Sequence, residues 1–152
     1  MLIQASIVID APRDDVFDIL TEYGGPVRLR INPSLKSQIV VERRDNVVVC
    51  DNEWERDGKR IQQRRKYTLF PKERIEEEVV DATTGMIRVI TRLEPEENDQ
   101  TRLTLESEYR FAGIWNFLSR FAENQLRQAD ESLLERLREG IEAEFEEADD
   151  EG

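Results

Sequence analysis

Hydrophobic and polar positions along the chain follow two periods, and the switches between them mark out the elements. Leu2 to Asp10 alternates, with Ile3, Ala5, Ile7 and Ile9 against Gln4, Ser6 and Asp10, and predicts a first strand. Pro12 suits a first helical position, with Asp14 and Asp15 in the first turn toward the positive end of the helix dipole. Val16, Phe17, Ile19, Leu20 and Tyr23 give this short helix its buried side, and Gly24, Gly25 and Pro26 stop it. Val27 to Ile31 predicts a second short helix, ended by Asn32-Pro33-Ser34. From Ser37 to Phe111 the period is two. Turn signals at Asp45-Asn46, Asp57-Gly58, Phe70-Pro71-Lys72-Glu73, Thr83-Thr84-Gly85 and Pro95 to Gln100 divide that run into six strands.

The last long stretch, Gly113 to Ile141, returns to helical spacing. Ile114, Phe117, Leu118, Phe121, Ala122, Ala129, Leu133, Leu137 and Ile141 define its apolar face, with Arg120, Glu123, Arg127, Asp130, Glu131, Glu135, Arg138 and Glu139 mostly elsewhere. Gln125 and Ser132 interrupt the stripe, and aromatic bulk is confined to the first half. Such a face needs a large concave partner, which the strands can supply. Beyond Ile141 the run 142–152 is strongly acidic, with Phe145 as its only large apolar residue, and reads as a frayed helix end and disordered tail. The organisation expected is one domain over 1–141 followed by that tail.

A two-residue turn at Asp57-Gly58 fixes a register: Trp54 faces Ile61, Asn52 faces Gln63, Cys50 faces Arg65 and Val48 faces Tyr67. On the opposite face the same pairing sets Glu55 against Arg60 and Asp51 against Arg64. Carried onward, it brings Lys66 near Glu78, Glu78 near Arg88, Arg88 opposite Glu108 and Glu94 opposite Arg102. Each such pair contributes about 0.2–1 kcal/mol, and a one-residue slip would turn every apolar side chain outward. The inward face then holds Ile39, Val41, Val48, Cys50, Asn52 and Trp54, followed by Ile61, Gln63, Arg65, Tyr67, Leu69, Ile75, Glu77 and Val79. It continues through Ile87, Val89, Thr91, Leu93, Leu103, Leu105, Ser107, Tyr109 and Phe111.

That face is too polar for a dry core, because each unpaired buried polar group costs about 1–3 kcal/mol. A partly wet cavity, apolar with a few polar fixtures, would accommodate Asn52, Gln63, Arg65, Tyr67, Glu77, Thr91, Ser107 and Tyr109. In that cavity Arg65 and Glu77 orient a ligand's polar group; the alternative is a buried ion pair that satisfies itself, or a bulge that turns one outward. Ile114, Phe117 and Phe121 would roof the space, although packing alone would justify them.

Composition narrows the chemistry. The 152 residues hold 34 acidic and 22 basic side chains, a net charge of −12, which disfavours nucleic acid and anionic membrane surfaces as partners. No histidine is present, so neither a Ser-His nor a Cys-His nucleophile can form, and His or Cys metal clusters are absent. The single Cys50 rules out an internal disulfide and reads as a small buried hydrophobe in a reducing, cytoplasmic setting. Met1 to Ile9 is too short to span a bilayer and lacks the basic start of a signal peptide, so no membrane insertion is expected. No Gly-rich phosphate loop follows a strand, and neither cofactor nor metal is implied.

The order of one strand, two short helices, six strands and a long last helix resembles the helix-grip superfamily called START-like or SRPBCC, within it the polyketide cyclase/dehydrase and lipid-transport group. The resemblance covers Leu2 to Ile141. It is carried by Ile9-Asp10-Ala11-Pro12 with Val16-Phe17-Asp18-Ile19-Leu20, by Asn32-Pro33-Ser34, and by Phe70-Pro71-Lys72-Glu73-Arg74-Ile75. Leu93-Glu94-Pro95 leading to Thr101-Arg102-Leu103-Thr104 completes it, with Ile31 where an aromatic is common and Gln100 where Gly is usual. The resemblance implies an α+β fold, a seven-stranded antiparallel sheet curved around a long C-terminal helix. It implies a cavity but no shared reaction, and therefore no catalytic residue. The expected function is binding or transport of a small hydrophobic ligand such as a lipid, a quinone or a polyketide-like compound. Trp54, Tyr67, Tyr109, Phe117 and Phe121 would pack on it, and Asn52, Gln63, Arg65 and Glu77 would hold its polar end. The alternatives are an enzyme of cyclase or dehydratase type, or an interaction module of the ribosome-association toxin type that takes a basic protein partner through the acidic tail.

Overall fold

Tight turns and strict alternation build most of the sheet. The structure is a computed structural model that describes residues 1–80, 86–110 and 114–151, without the side chains of 87, 114–121 and 151. Among the described residues, seven strands form one antiparallel sheet: β1 (Leu2–Ile9), β2 (Leu35–Arg44), β3 (Val47–Arg56), β4 (Lys59–Phe70), β5 (Arg74–Val79), β6 (Met86–Glu96) and β7 (Gln100–Tyr109). They lie in the order β1-β7-β6-β5-β4-β3-β2, so the chain's first strand closes onto its last. Asp45 and Asp57 take φ of 53° and Gly58 takes 76°, the left-handed conformations that match the twist of two-residue hairpins. The turn at Thr83-Thr84-Gly85 and the inward position of Phe111 lie outside the described residues.

The register expected from Asp57-Gly58 is the one found. Trp54 pairs with Ile61, Asn52 with Gln63, Cys50 with Arg65 and Val48 with Tyr67, and onward Lys66 with Glu78, Glu78 with Arg88, Arg88 with Glu108 and Glu94 with Arg102. Several ion pairs close on the diagonal. Arg64 binds Asp51 directly across, whereas Arg60 reaches Glu53 and Arg102 reaches Glu96.

Strand β2 corrects one part of the inward face. Ile39 and Val41 are 60% and 44% exposed, and Gln38 and Val40 point inward instead. The pairing with β3 slips between Leu35 and Ser37 and again between Val40 and Glu42. One extra residue at the first bulge reverses the faces of the residues beyond it, setting Gln38 opposite Asn52 and Val40 opposite Cys50.

Between β1 and β2 run α1 (Arg13–Leu20) and α2 (Pro26–Ile31). Val16, Phe17 and Leu20 of α1, then Tyr23 and Ile31, are buried. The last helix, α3 (Ile114–Glu151), lies along β1 and against α1 and α2. Its buried stripe differs from the expected one: Asp130, Leu134, Leu137 and Ile141 are buried, Ala129 is exposed and Leu133 is half-buried. The rotation leaves Gln125 and Ser132 on the solvent side, so they interrupt nothing. Leu134, Leu137 and Ile141 join Ile9, Phe17, Leu20, Tyr67, Leu103 and Leu105 in one core.

The expected disordered tail is a correction as well, because the helix continues through Glu151. Phe145 packs against the core, Glu144 pairs with Arg30 at 2.5 Å, and Glu142 accepts the Asp10 N–H at 3.4 Å. These contacts give the acidic end a helix-stabilising docking surface that composition alone does not register. Gly140 permits the close approach of α3 to α2: a Cβ there would stand 2.7 Å from the Ile31 Cα. Among the described residues no helix is long and apolar enough to cross a membrane.

Candidate functional site

The pairing of β4 with β5, near the middle of the sheet, positions the central charged residues on the concave side. Tyr67 sits across from Glu77, and Arg65 sits one diagonal step away, across from Val79. Arg65 Nη1 donates to Glu77 Oε2 at 2.5 Å, and its Nε and Nη2 donate to Gln63 Oε1 at 3.1 and 2.7 Å. The guanidinium carbon lies 4.6 Å from the centre of the Trp54 ring, a cation–π arrangement. The pair is enclosed but not sealed: the side chains of Arg65 and Glu77 keep 12% and 17% exposure.

A second polar group lies deeper. The Gly24 N–H donates to Gln38 Oε1 at 3.0 Å, Gln38 Nε2 to Asn52 Oδ1 at 3.1 Å, and Asn52 Nδ2 to the Tyr67 oxygen at 2.8 Å. The Tyr67 ring meets that of Tyr23 with centroids 4.5 Å apart. Burial, then the nearby Glu77 charge, pushes the Tyr67 phenol well above its usual range. The sheet therefore brings Asn52 and Tyr67 together in a chain of side chains that bond one another. Gln38 belongs to that chain and is missed by strand alternation, because the bulge that turns it inward has no sequence signature here.

At the far edge of this face α3 contributes Asp130, which is 7% exposed. Burial raises its carboxyl above the ordinary aspartate value, opposed by a hydrogen bond with Ser107 and by the charges of Arg56 and Arg127. Its Oδ2 is enclosed without a partner. Tyr109, on the same strand as Ser107, is pushed up to about 12 by burial and by the Asp130 charge. Charge assigns Asp130 to the outer face of the helix, yet its spacing of four, seven and eleven residues from Leu134, Leu137 and Ile141 is the signal that identifies it.

The indole Nε1 of Trp54 is likewise enclosed and unpartnered. Phe117 and Phe121 belong to α3, but their side chains lie outside the described residues. A groove of about 500 Å³ lies between β1 and α3, lined by Ser6, Ile7, Gln128, Glu131 and Leu134 among others, and is separate from the Arg65–Glu77 pair. Among the described residues no three His, Cys, Asp or Glu side chains converge as a metal site. Burial raises the Cys50 thiol to about 11, which keeps it protonated and a poor nucleophile near neutrality.

A curved antiparallel sheet holding a long C-terminal helix, with two short helices after the first strand, is the START-like helix-grip fold. Solved structures with this fold match almost the whole chain. TTHA0849 from Thermus thermophilus is 18% identical, with a TM-score of 0.75 over 94% of this chain and 98% of that one. The ZhuI aromatase/cyclase from Streptomyces sp. R1128 is 16% identical, with a TM-score of 0.71 over 96% and 93%. A START superfamily protein from Mycobacterium smegmatis is 14% identical, with a TM-score of 0.64 over 97% and 98%. No protein-family model matches the chain, and no curated protein matches it by sequence.

Proposed function

We propose that the chain binds or carries a small, mostly apolar molecule in the space between the concave face of the sheet and α3. The observation that carries this reading is the state of Arg65 and Glu77. They sit on the concave side of central strands, bonded to each other, yet remain 12% and 17% exposed. A solidly plugged interior would leave them none, and an outward-facing pair would show far more. The unpartnered indole N–H of Trp54 beside them gives a polar group of the ligand a donor. Trp54 and Tyr109 supply the apolar contacts, Gln63, Arg65 and Glu77 the polar ones, and Asn52 and Tyr67 the floor. The similarity to an aromatase/cyclase and to a START superfamily protein supports the choice of an apolar ligand.

Native mass spectrometry of the purified protein, with titration of fatty acids and quinones against tryptophan fluorescence, tests the reading. A bound or saturating ligand is expected. Silence in both measurements overturns it.

Asp130 favours a second reading, an enzyme of cyclase or dehydratase type. A buried carboxyl that keeps its proton above the usual range, hydrogen-bonded with Ser107 and near Tyr109, is equipped for proton transfer, and Arg65 for stabilising an enolate. An Arg65→Ala variant with unchanged stability and unchanged turnover of a polyketide-type substrate would remove this mechanism.

A further inference from the structure

One buried charged side chain plays no part in the ligand contacts above. Arg28, on α2, is 8% exposed. Its Nη1–H donates to the Leu20 carbonyl at 3.2 Å, and its guanidinium carbon lies 5.3 Å from the centre of the Tyr23 ring. Its Nε–H is enclosed and has no partner, and among the described residues no carboxylate pairs with it. The group lies close enough to the concave face that its charge acts on the phenols of Tyr23 and Tyr67 and on the thiol of Cys50.

A cation held out of water without a counter-charge is expensive, and proteins normally pair it. The other interior charges do not supply that counter-charge. Arg65 and Glu77 pair with each other, and Asp130 faces Ser107, Arg56 and Arg127. Arg28 is therefore a buried cation with no carboxylate partner among the described residues, inside a chain whose net charge is −12.

We propose that Arg28 binds a carboxylate on the ligand, so that the molecule held between sheet and helix is a small apolar acid and not a neutral lipid. This rests on the ligand-binding reading and narrows it to a chemical class. A buried cation without a counter-charge suits the single charge of a carboxylate, and its unpartnered Nε–H offers the oxyanion a donor. Tyr67 accepts its bond from Asn52 and so retains its own phenolic hydrogen for an acceptor nearby.

Dodecanoic acid and dodecan-1-ol share an apolar body and differ in the charged end. Titration of both against the wild-type chain near neutral pH, by tryptophan fluorescence and calorimetry, is expected to show the acid binding at least about tenfold tighter, a charge-assisted bond's worth. Arg28→Gln should abolish the preference by weakening the acid and leaving the alcohol within about twofold, while Arg28→Lys should keep part of it. Equal wild-type affinity for the two probes overturns the assignment of Arg28 and leaves the carrier reading standing, as does an Arg28→Gln variant that keeps the preference. Binding of neither probe overturns both. Should Arg28→Gln fail to fold, the wild-type comparison of acid with alcohol decides alone.

Discussion

Replacing Glu77 by Gln measures how enclosed the space beneath α3 is. Gln keeps the shape and a neutral acceptor for Arg65 Nη1 but removes the charge 2.5 Å from the guanidinium. Two unit charges about 4 Å apart attract by about 4 kcal/mol at an effective dielectric of ~20. Breaking one side of a buried pair costs about 3–5 kcal/mol, because the survivor is left uncompensated. Here the pair retains 12% and 17% exposure, and Arg65 keeps Gln63 and the Trp54 ring. The expected loss is therefore smaller, about 2–3 kcal/mol, read as a lower urea midpoint with unchanged slope and a fall of about 4–12 °C in Tm. The double variant Arg65→Met/Glu77→Leu should recover to within about 1 kcal/mol of wild type, since apolar isosteres often replace buried pairs without loss. A Glu77→Gln loss below about 0.5 kcal/mol would refute the reasoning. It would put the pair among ordinary surface salt bridges and the concave face in open water.

Asp130→Asn should change the pH profile of stability. The folded carboxyl is raised above 3.8, so the folded state holds a proton that the unfolded state releases. Stability is fully present below that value and falls as pH rises toward the folded pKa, and chemical denaturation across this window should find the decline in wild type and not in the variant. Tyr67→Phe removes the acceptor for Asn52 Nδ2, a group on a residue 2% exposed, and should cost about 1–3 kcal/mol by urea unfolding; an unchanged midpoint would mean that Asn52 finds another partner. Gly140→Ala should destabilise by about 1–3 kcal/mol despite alanine's better helix propensity, because the new Cβ would meet the Ile31 backbone at 2.7 Å. A stabilised variant would show that α2 can yield.

How far the sequence reaches depends on whether a residue's neighbours are local. The Asp57-Gly58 turn fixes β3 against β4, alternation carries that phase through β5 to β7, and so Tyr67 opposite Glu77 is legible in the chain alone. Strand β2 cannot be read the same way. Its bulges carry neither Gly nor Pro, and nothing local reveals that Gln38 has exchanged faces with Ile39. Asp130 is legible in spacing but its charge argues for solvent, the opposite of what its position on α3 facing Ser107 of β7 requires. The acidic end reads as disordered by composition. Its order comes from single long-range contacts of Phe145 and Glu144, which no window of sequence contains.

The charge distribution sets opposing demands on an acid ligand. The surface, at −12 overall, repels an approaching carboxylate, and salt screens that repulsion over about 8–10 Å. Inside, Arg28 is 8% exposed, and a contact made there is screened far less. Raising the ionic strength should therefore speed association of an acid while leaving its escape nearly unchanged. A site built from exposed lysines or arginines would weaken with salt instead. The sign of the salt dependence thus separates a cation buried within an acidic shell from one displayed upon it, and among the described residues the buried cation Arg28 has no carboxylate partner.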